Sequence, residues 1–322
     1  MSAEPRIPFA TAIPAERPVR SGTPLRAALL MATSAVLFGL MAIVMRLGTE
    51  RGLHTFEMAF FRSTFGLLFA LPLLHGRGLA LLRTNHFRLY LLRGALGAGS
   101  MLASFWALAH LPLAQAVAIS FSTPLFVTVG AVLLLGEIVR ARRWSAVVIG
   151  FLGVLVIMRP GSVHFSEGML VALCGAMLAA SAYISIKFLS RSEPADAIVI
   201  YMTAIMCVVT LPLAISTWTS PDATGWLWAV LVGLLGTAGQ ITMTRAYHMG
   251  EVSALAPLNY LQLPVVSICA WFVFAQSVDA GTLAGAAIII AANLYIAHRE
   301  TRLARRGATD AELASGESSQ PI

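Results

Sequence analysis

Long apolar stretches recur along almost the whole chain. They follow one another from Ala27 to His298 with only short polar interruptions, and several are as long as the roughly 20 residues that a helix needs to cross a bilayer. Of the 322 residues, 58% are hydrophobic and only 11% are charged, whereas soluble domains carry about a quarter charged residues. A water-soluble core cannot absorb so much apolar surface. The sequence therefore predicts an all-α integral membrane protein.

Charged and turn-forming residues divide the apolar sequence into ten predicted transmembrane helices. The predicted helices lie near residues 27–45, 56–74, 88–109, 115–135, 144–158, 168–189, 196–216, 226–248, 252–274 and 281–298. The connections between them are short and leave no room for a soluble catalytic domain. Residues 1–26 and 299–322 are predicted to be disordered cytoplasmic tails.

Arginine and lysine are distributed unequally between the two sides of these helices. One side receives the basic residues of both tails and of most connections, whereas the other receives only Arg46, Arg51 and Arg159. Because cytoplasmic loops retain positive charge during insertion, we expect a multi-pass protein of a bacterial inner membrane with both termini in the cytoplasm. The net charge of +7 then reflects topology and the lipid bilayer as partner, and no nucleic-acid partner is expected.

The two halves of the chain resemble each other. Leu71-Pro72-Leu73 closes the second predicted helix, and Leu211-Pro212-Leu213 closes the seventh, 140 residues later. The same offset relates Pro124 to Pro264. Because each half holds an odd number of helices, the second copy must insert upside down. We therefore predict a 5+5 inverted repeat, residues 27–160 and 167–298, of the kind found in many secondary transporters.

Several short motifs occur in order and are partly duplicated. They are ALAHLPLAQAVAISFSTPLF at 107–126, LLGE at 134–137, GFLGV at 150–154 and ALAPLNYLQLP at 254–264. In these segments the chain resembles EamA-type transporters of the drug/metabolite transporter superfamily, and the resemblance covers roughly residues 27–298. It implies ten helices and the movement of a small metabolite, such as an amino acid, S-adenosylmethionine or riboflavin. The family often has Glu where this chain has Gln276.

Pro124 and Pro264 lie about halfway along their predicted helices and are expected to break them, because proline frees backbone carbonyls for a ligand or neighbour. Polar side chains cluster just before each proline: Ser120, Ser122 and Thr123 before the first, Asn259, Tyr260 and Gln262 before the second. Polar groups at membrane depth destabilise a helix unless they find partners. The two clusters are our predicted substrate site, and the alternative is that they bond to adjacent helices.

Arg62 lies about 10 Å inside the second predicted helix, at 1.5 Å per residue, which is deep for a solvated charge. It either binds a substrate carboxylate or phosphate, or it is a structural cation paired with Glu57 or with helix-end carbonyls. Arg93, Lys187 and Arg245 fall near predicted cytoplasmic ends, where a long side chain can reach the interface.

Aromatic residues and the helix-end polar residues complete the candidates. Trp106, with Phe105, Tyr183, Trp271 and Phe274, either lines a cavity for the substrate or packs in the core or against lipid. Glu137 and Gln276 close the fourth and ninth predicted helices, where they either brace the bundle or gate its mouth. Gly97 and Gly236 occupy comparable places in the two halves and are expected to allow close helix approach.

Other functions are less well supported. Cys174, Cys207 and Cys269 lie singly in apolar segments, so neither a metal site nor a disulfide is predicted, and no cofactor is expected. An intramembrane enzyme lacks a recognisable nucleophile or metal motif, and a sensor would usually carry a soluble domain. No acid or histidine lies at a helix centre, which favours uncoupled transport. The substrate, its direction of transport, and the choice between monomer and homodimer stay open.

Overall fold

The computed structural model describes residues 24–74, 84, 86–135, 141–163, 165–189, 193–249 and 255–317. All regular structure in these ranges is helical, which confirms the predicted all-α class. The α-helices are α1 (Pro24–Glu50), α2 (Thr55–Ala70), α3 (Phe87–His110), α4 (Leu113–Ser120), α5 (Thr123–Leu135), α6 (Ala141–Met158), α7 (Glu167–Leu189), α8 (Ala195–Ser216), α9 (Ala223–Met249), α10 (Gln262–Phe274) and α11 (Ala280–Glu317). Short 3-10 segments occupy Leu71–Leu74 and Ala256–Leu261.

Most of these helices suit a membrane. Within the described residues, 8 spans are long and apolar enough to cross a bilayer, and residues 143–158 of α6 form a shorter apolar helix. Every predicted helix overlaps a helix of the structure. The chain is therefore a multi-pass membrane protein by the length and composition of its helices.

The fourth predicted helix is divided in two. Helix α4 ends at Ser120, a turn covers Phe121 and Ser122, and α5 begins at Thr123, so that Pro124 falls in the first turn of α5. This is a position where proline's missing N–H is tolerated. The carbonyl of Phe121 is freed by the break and accepts a hydrogen bond of 2.8 Å from the Asn293 side chain. The break is thus satisfied from within the protein.

The ninth predicted helix is irregular at its start. Residues Ala256–Leu261 form a 3-10 segment, and the α-helix begins only at Gln262, with Pro264 in its first turn. The irregular turn ends two residues before Pro124, at Ser122, and three residues before Pro264, at Leu261. This placement follows because a proline ring clashes with the residue before it and with the preceding turn.

The helix contacts follow a reciprocal pattern. Helix α1 packs on α9 as α3 packs on α7, α2 packs on α9 as α3 packs on α8, and α5 packs on α7 as α10 packs on α1. Helices α2 and α8 contact each other, as do α6 and α11. Exchanging the helices of the first half with their counterparts in the second half therefore leaves this set of contacts unchanged.

Helices α6 and α11 cross at two glycines. A Cβ atom added to Gly285 would lie 2.5 Å from the carbonyl oxygen of Gly153, and one added to Gly153 would lie 2.8 Å from the carbonyl oxygen of Gly285. Both distances are below any normal contact, and both involve backbone that cannot rotate away. Only glycine permits so close an approach of two helices.

Polar contacts join the helices at the end of the bundle where α1 ends. The Arg46 guanidinium donates to the carbonyls of Leu108 and Ala109, at 2.9 and 2.5 Å, near the end of α3. The Glu57 carboxylate is fully buried and accepts from the backbone of His54 at 2.8 Å and from both the backbone and the hydroxyl of Thr219. Glu57 thereby caps α2 and holds the connection between α8 and α9 against it.

A second polar cluster joins two connections near the start of α3. The Glu193 carboxylate accepts from the hydroxyl of Thr84 at 2.6 Å and from that of Tyr90 at 3.2 Å, and Nδ1 of His86 lies 3.1 Å from it. Burial acts to raise the pKa of Glu193, but these three hydrogen bonds and the neighbouring His86 outweigh burial. The pKa of Glu193 is therefore lower than its ordinary value of 4.5.

The lowered pKa predicts acid sensitivity of this cluster. The stability that ionised Glu193 contributes is fully present above pH 4.5 and is lost as the pH falls through the lower folded-state pKa. We expect Glu193→Gln to lower the apparent Tm of the purified protein by a few degrees at about pH 7, and by less at about pH 3.5. Glu167→Gln, at an exposed carboxylate, is the control. An equal effect of both substitutions at both pH values would contradict this prediction.

The sequence predicts disordered tails at residues 1–26 and 299–322, and it places Glu137 at the end of the fourth predicted helix. Helix α11 continues to Glu317, past residue 299 where the sequence predicts a disordered tail. The reason is that residues 299–317 are rich in alanine, arginine and glutamate, which favour helix. Residues 1–23, 318–322 and Glu137 lie outside the described residues.

Candidate functional site

A cavity of about 190 Å³ lies among α1, α2, α3, α7 and α8. It is therefore lined by three helices from the first half of the chain and two from the second. The lining residues are Met41, Arg62, Arg93, Gly97, Ser100, Met101, Phe105, Ala179, Ala182, Tyr183, Met202 and Met206. Clefts and cavities with apolar walls and a few polar groups are typical binding sites for small molecules.

Arg62 is the predicted site residue that the structure places in this cavity. It lies seven residues after the start of α2 and is partly buried. The sequence left open a structural pairing with Glu57. The carboxylate of Glu57 instead bonds to His54 and Thr219, so it is not the partner of Arg62. The guanidinium of Arg62 is consequently available to the cavity.

Arg93 is the functional candidate that the sequence assignment missed. We expected its side chain to extend to the interface, but it is only 7% exposed and lines the same cavity as Arg62. Its Nε atom is buried without a hydrogen-bond partner among the described residues. Arg93 lies six residues, or about 9 Å, inside α3, close to the depth that marked Arg62 as a candidate. The depth of Arg93 in its helix is therefore the sequence feature that could have identified it as a candidate.

Two glycines make room for the arginines. A Cβ atom on Gly97 would lie 2.9 Å from Nη1 of Arg93, and a Cβ atom on Gly236 would lie 3.3 Å from Nε of Arg62. The sequence suggested that these glycines allow close helix approach. The structure fills the space beside each of them with a guanidinium group, together with the sulfur of Met41 next to Gly236. The two glycines thus help to position the charged groups of the cavity.

The rest of the lining is mostly apolar and polarisable. Four methionines contribute thioethers, Phe105 is buried, and Tyr183 is 51% exposed at the edge of the cavity. Methionine side chains adapt their shape and contact aromatic rings favourably. The hydroxyl of Ser100 already donates to the carbonyl of Gly175 at 2.9 Å. The arginines therefore supply most of the hydrogen-bond donors that a ligand would meet.

The predicted hydroxyl cluster bonds to its own backbone. Ser120 donates to the carbonyl of Val117, and Thr123 donates to that of Ser120, both at 2.7 Å. These contacts satisfy carbonyls at the break between α4 and α5. Neither side chain is among the residues that line the described cavity, and Pro124 is exposed.

The second predicted cluster lies around the 3-10 segment. Asn259 donates to the hydroxyl of Tyr247 at 3.2 Å, and the ring of Tyr260 packs edge-on against Phe121, with 4.9 Å between centroids. Gln262 is partly buried, and Pro264 is exposed. This cluster therefore lies next to the break of the fourth helix, and the described cavity is lined by other residues.

The remaining predicted residues lie near the ends of helices. Trp106 stacks on His110, with 4.0 Å between ring centroids, and is next in sequence to Phe105 of the cavity. Gln276 accepts a hydrogen bond of 3.1 Å from the backbone N–H of Leu113, the first residue of α4. The neutral amide thus satisfies a free donor at a helix start, as a carboxylate would.

Proteins named as transporters resemble this chain over most of its length. A riboflavin transporter of Brucella anthropi is 33% identical over 264 residues, which cover 80% of this chain and 93% of that protein. An S-adenosylmethionine uptake transporter of Rickettsia felis is 34% identical over 263 residues, covering 81% and 88%. A pseudopaline exporter of Pseudomonas aeruginosa is 34% identical over 240 residues, covering 73% and 84%.

A solved structure and a family profile also match this chain. One solved structure superposes with a TM-score of 0.60 over 87% of this chain and 98% of its own, at 20% sequence identity, so it shares the fold. The profile of the EamA-like transporter family matches the sequence twice, at residues 25–159 and 166–297. The chain therefore belongs to the EamA-like transporter family and is a multi-pass membrane transporter.

Proposed function

We propose that this chain is a secondary transporter that binds a small metabolite in the cavity around Arg62 and Arg93 and moves it across the membrane by alternating access. The observation that carries the proposal is that one cavity is lined by helices of both halves. Such a cavity changes shape when the halves move against each other. The names of the relatives favour an amino acid or a cofactor-like compound as the class of substrate, for example S-adenosylmethionine or riboflavin.

The architecture that we propose is ten spans in two inverted halves of five. The reciprocal contacts of α1 with α9 and of α3 with α7 support it, because a two-fold axis in the membrane plane would produce such pairs. The double match of the family profile, at residues 25–159 and 166–297, supports it independently. In this arrangement α2 and α6 are spans that are shorter than the others.

Alternating access in this architecture requires contacts that can open at each end. The bonds between Glu57 and Thr219 join the two halves at one end of the bundle, and the Glu193 cluster joins them at the other. We propose that the halves rock about the cavity and exchange these two sets of contacts. The bundle would then expose the cavity to one side of the membrane at a time.

The distribution of basic residues supports the proposed location. We place the chain in a bacterial inner membrane with both termini in the cytoplasm, because cytoplasmic loops carry most of the basic residues. The opposite end of the bundle carries few, among them Arg46 and Arg159. Both of these are engaged locally, Arg46 with helix α3 and Arg159 with Asp279. The partners that we propose are the lipid bilayer and a small-molecule substrate, and no nucleic acid.

The proposal also includes the polar residues at the two helix breaks. Ser120, Thr123 and Asn259 bond to the protein in the described conformation. We propose that they, with Trp106, Tyr260 and Gln262, contact substrate only in a conformation in which the breaks have moved. Arg62 contacts substrate in the described conformation.

Uptake into proteoliposomes tests the proposal directly. The full-length protein is reconstituted and offered labelled amino acids, S-adenosylmethionine and riboflavin, first without and then with an imposed ion gradient. We expect saturable uptake of at least one compound, and we expect Arg62→Gln to lower kcat/KM by about 10- to 100-fold because a charge-assisted hydrogen bond is lost.

The control for this experiment is Arg88→Gln. Arg88 lies in α3 like Arg93 but is exposed, so its substitution should leave uptake unchanged. Uptake of no compound by the wild-type protein under either condition would contradict transport of these classes. Uptake that requires a proton or sodium gradient would contradict the uncoupled mechanism that the sequence favours.

A further inference from the structure

The cavity holds two positive charges and no negative one among the described residues that line it. Arg62 and Arg93 both contribute guanidinium groups, which stay protonated under all relevant conditions. Arg93 is 7% exposed, and its Nε atom has no hydrogen-bond partner in the described part of the chain. A buried cation is ordinarily paired with a carboxylate. Among the described residues that line the cavity, none is a carboxylate.

Two unpaired guanidinium groups in one cavity destabilise the protein that holds them. Each loses hydration when it is buried, and the two repel each other through a medium of low dielectric constant. An anion that enters the cavity reverses both effects at once. Two arginines outside the cavity, Arg46 and Arg159, each have a carboxylate partner, Glu50 and Asp279. Neither Arg62 nor Arg93 has such a partner among the described residues.

We infer that the metabolite bound in this cavity carries a net negative charge and presents at least one carboxylate to Arg62 and Arg93. The inference deepens the proposed function, on which it rests for the step of transport. Planar guanidinium groups match the two oxygens of a carboxylate and bind them in pairs. Within the amino acids and cofactor-like compounds of the proposed function, the inference favours acidic members over S-adenosylmethionine, which carries a net positive charge, and over a neutral flavin, although both are transported by relatives according to their names.

The walls of the cavity indicate a carboxylate on an apolar or aromatic body. Phe105, Tyr183 and the methionines surround the charged groups, and thioethers pack well on aromatic rings. Ser100 already donates to Gly175, so the arginines are the principal remaining donors. A phosphate ester carries a charge of about −1.5 to −2 near neutral pH, and removing its water in a mostly apolar cavity costs more free energy than removing that of a carboxylate. The site therefore suits a carboxylate better than a phosphate.

A series of isosteric probes tests the charge preference. Benzoate, benzamide and benzamidine have nearly the same size and differ in charge, and phenyl phosphate adds the competing anion. The apparent Tm of the purified full-length protein in detergent is measured with each probe. We expect benzoate to raise it by about 3 °C or more near saturation, benzamide and phenyl phosphate to raise it less, and benzamidine to leave it unchanged or lower it.

Variants assign the effect to the cavity. Arg93→Gln and Arg62→Gln should each weaken benzoate binding about tenfold or more, whereas Arg88→Gln at the exposed start of α3 should not. A benzoate shift no larger than the benzamidine shift in the wild-type protein, including no shift with any probe, would overturn the inference. A benzoate shift that persists unchanged in both cavity variants would also overturn it. The wild-type series decides even if a variant fails to fold.

The binding experiment and the uptake experiment fail independently. Charge-selective binding of benzoate without transport of any metabolite would contradict the proposed function and support the anion site. Saturable uptake of S-adenosylmethionine, with no stronger binding of benzoate than of benzamidine, would confirm transport and contradict the anion site. A larger stabilisation by phenyl phosphate than by benzoate would replace the carboxylate by a phosphate.

Discussion

Replacing Gly285 with valine is expected to lower the apparent Tm of the purified protein by about 6 °C or more, which corresponds to about 3 kcal/mol or more of overpacking. The first added atom would lie 2.5 Å from the carbonyl oxygen of Gly153. Neither backbone can move without separating α6 from α11. Valine has a slightly better helix propensity than glycine, by less than about 1 kcal/mol, so the clash decides the sign.

The neighbouring residue provides a matched control. Ala284 lies on the same helix but is exposed, so Ala284→Val adds a similar bulk that faces away from the α6 crossing. We expect it to change the apparent Tm by no more than about 1 °C. Thermal unfolding in detergent, followed at one fixed heating rate because unfolding of such proteins is often irreversible, measures both. Equal Tm values for the two variants would show that the crossing is not tight.

Replacing Gly97 with leucine is expected to reduce uptake at least tenfold while the protein still inserts and purifies as a single species. The Cβ position at this residue lies 2.9 Å from Nη1 of Arg93, so a leucine side chain must displace the guanidinium from the cavity. Misplacing a binding group by about 1 Å is enough to lower activity by up to about 100-fold. Initial uptake rates in proteoliposomes measure the effect.

Alanine substitutions at two glycines of α3 separate this effect from general packing. Gly97→Ala places one carbon against Arg93, whereas Gly99→Ala places one carbon 3.3 Å from the flexible end of Leu178. We expect the first to raise KM and the second to leave it near that of the wild type. A similar loss in both, or full activity of Gly97→Leu, would contradict the positioning of Arg93 by Gly97.

The positions of the helices were predictable because the bilayer imposes a length and a composition on each span. The LPL pairs and the matching prolines at 124 and 264 also indicated the duplication that the family profile matches twice. The extension of α11 to Glu317 was not predicted, because hydropathy identifies only residues that lie in the membrane. Local helix propensity determines residues beyond it.

The cavity was predictable only in part. The depth of Arg62 in its helix marks it as a candidate for the site. Arg93 lies at a similar depth, but its position near a predicted cytoplasmic end favours a side chain that extends to the interface. The difference between the two outcomes depends on what faces each residue, and the main partners of α3 are α7 and α8 from the other half of the chain. Such long-range contacts leave no trace in local hydropathy.

The polar residues at the helix breaks illustrate the same difficulty. A polar side chain at membrane depth needs a partner, and the sequence does not state whether the partner is a ligand or the protein. For Ser120 and Thr123 the partners are backbone carbonyls of the preceding turn, and for the Phe121 carbonyl the partner is Asn293. The broken helix thus satisfies most of its own groups.

The absence of an acid among the described lining residues beside Arg62 and Arg93 also bears on the direction of transport. Over one complete cycle the arginines return to where they began, so only the charge of the metabolite crosses the membrane. A bacterial inner membrane is electrically negative inside, and 100 mV across it acts on each elementary charge with about 2.3 kcal/mol. For a monoanion moved without a coupled ion, that difference sustains a concentration ratio of about 50-fold. The voltage alone would therefore drive such a carrier outward, as an exporter.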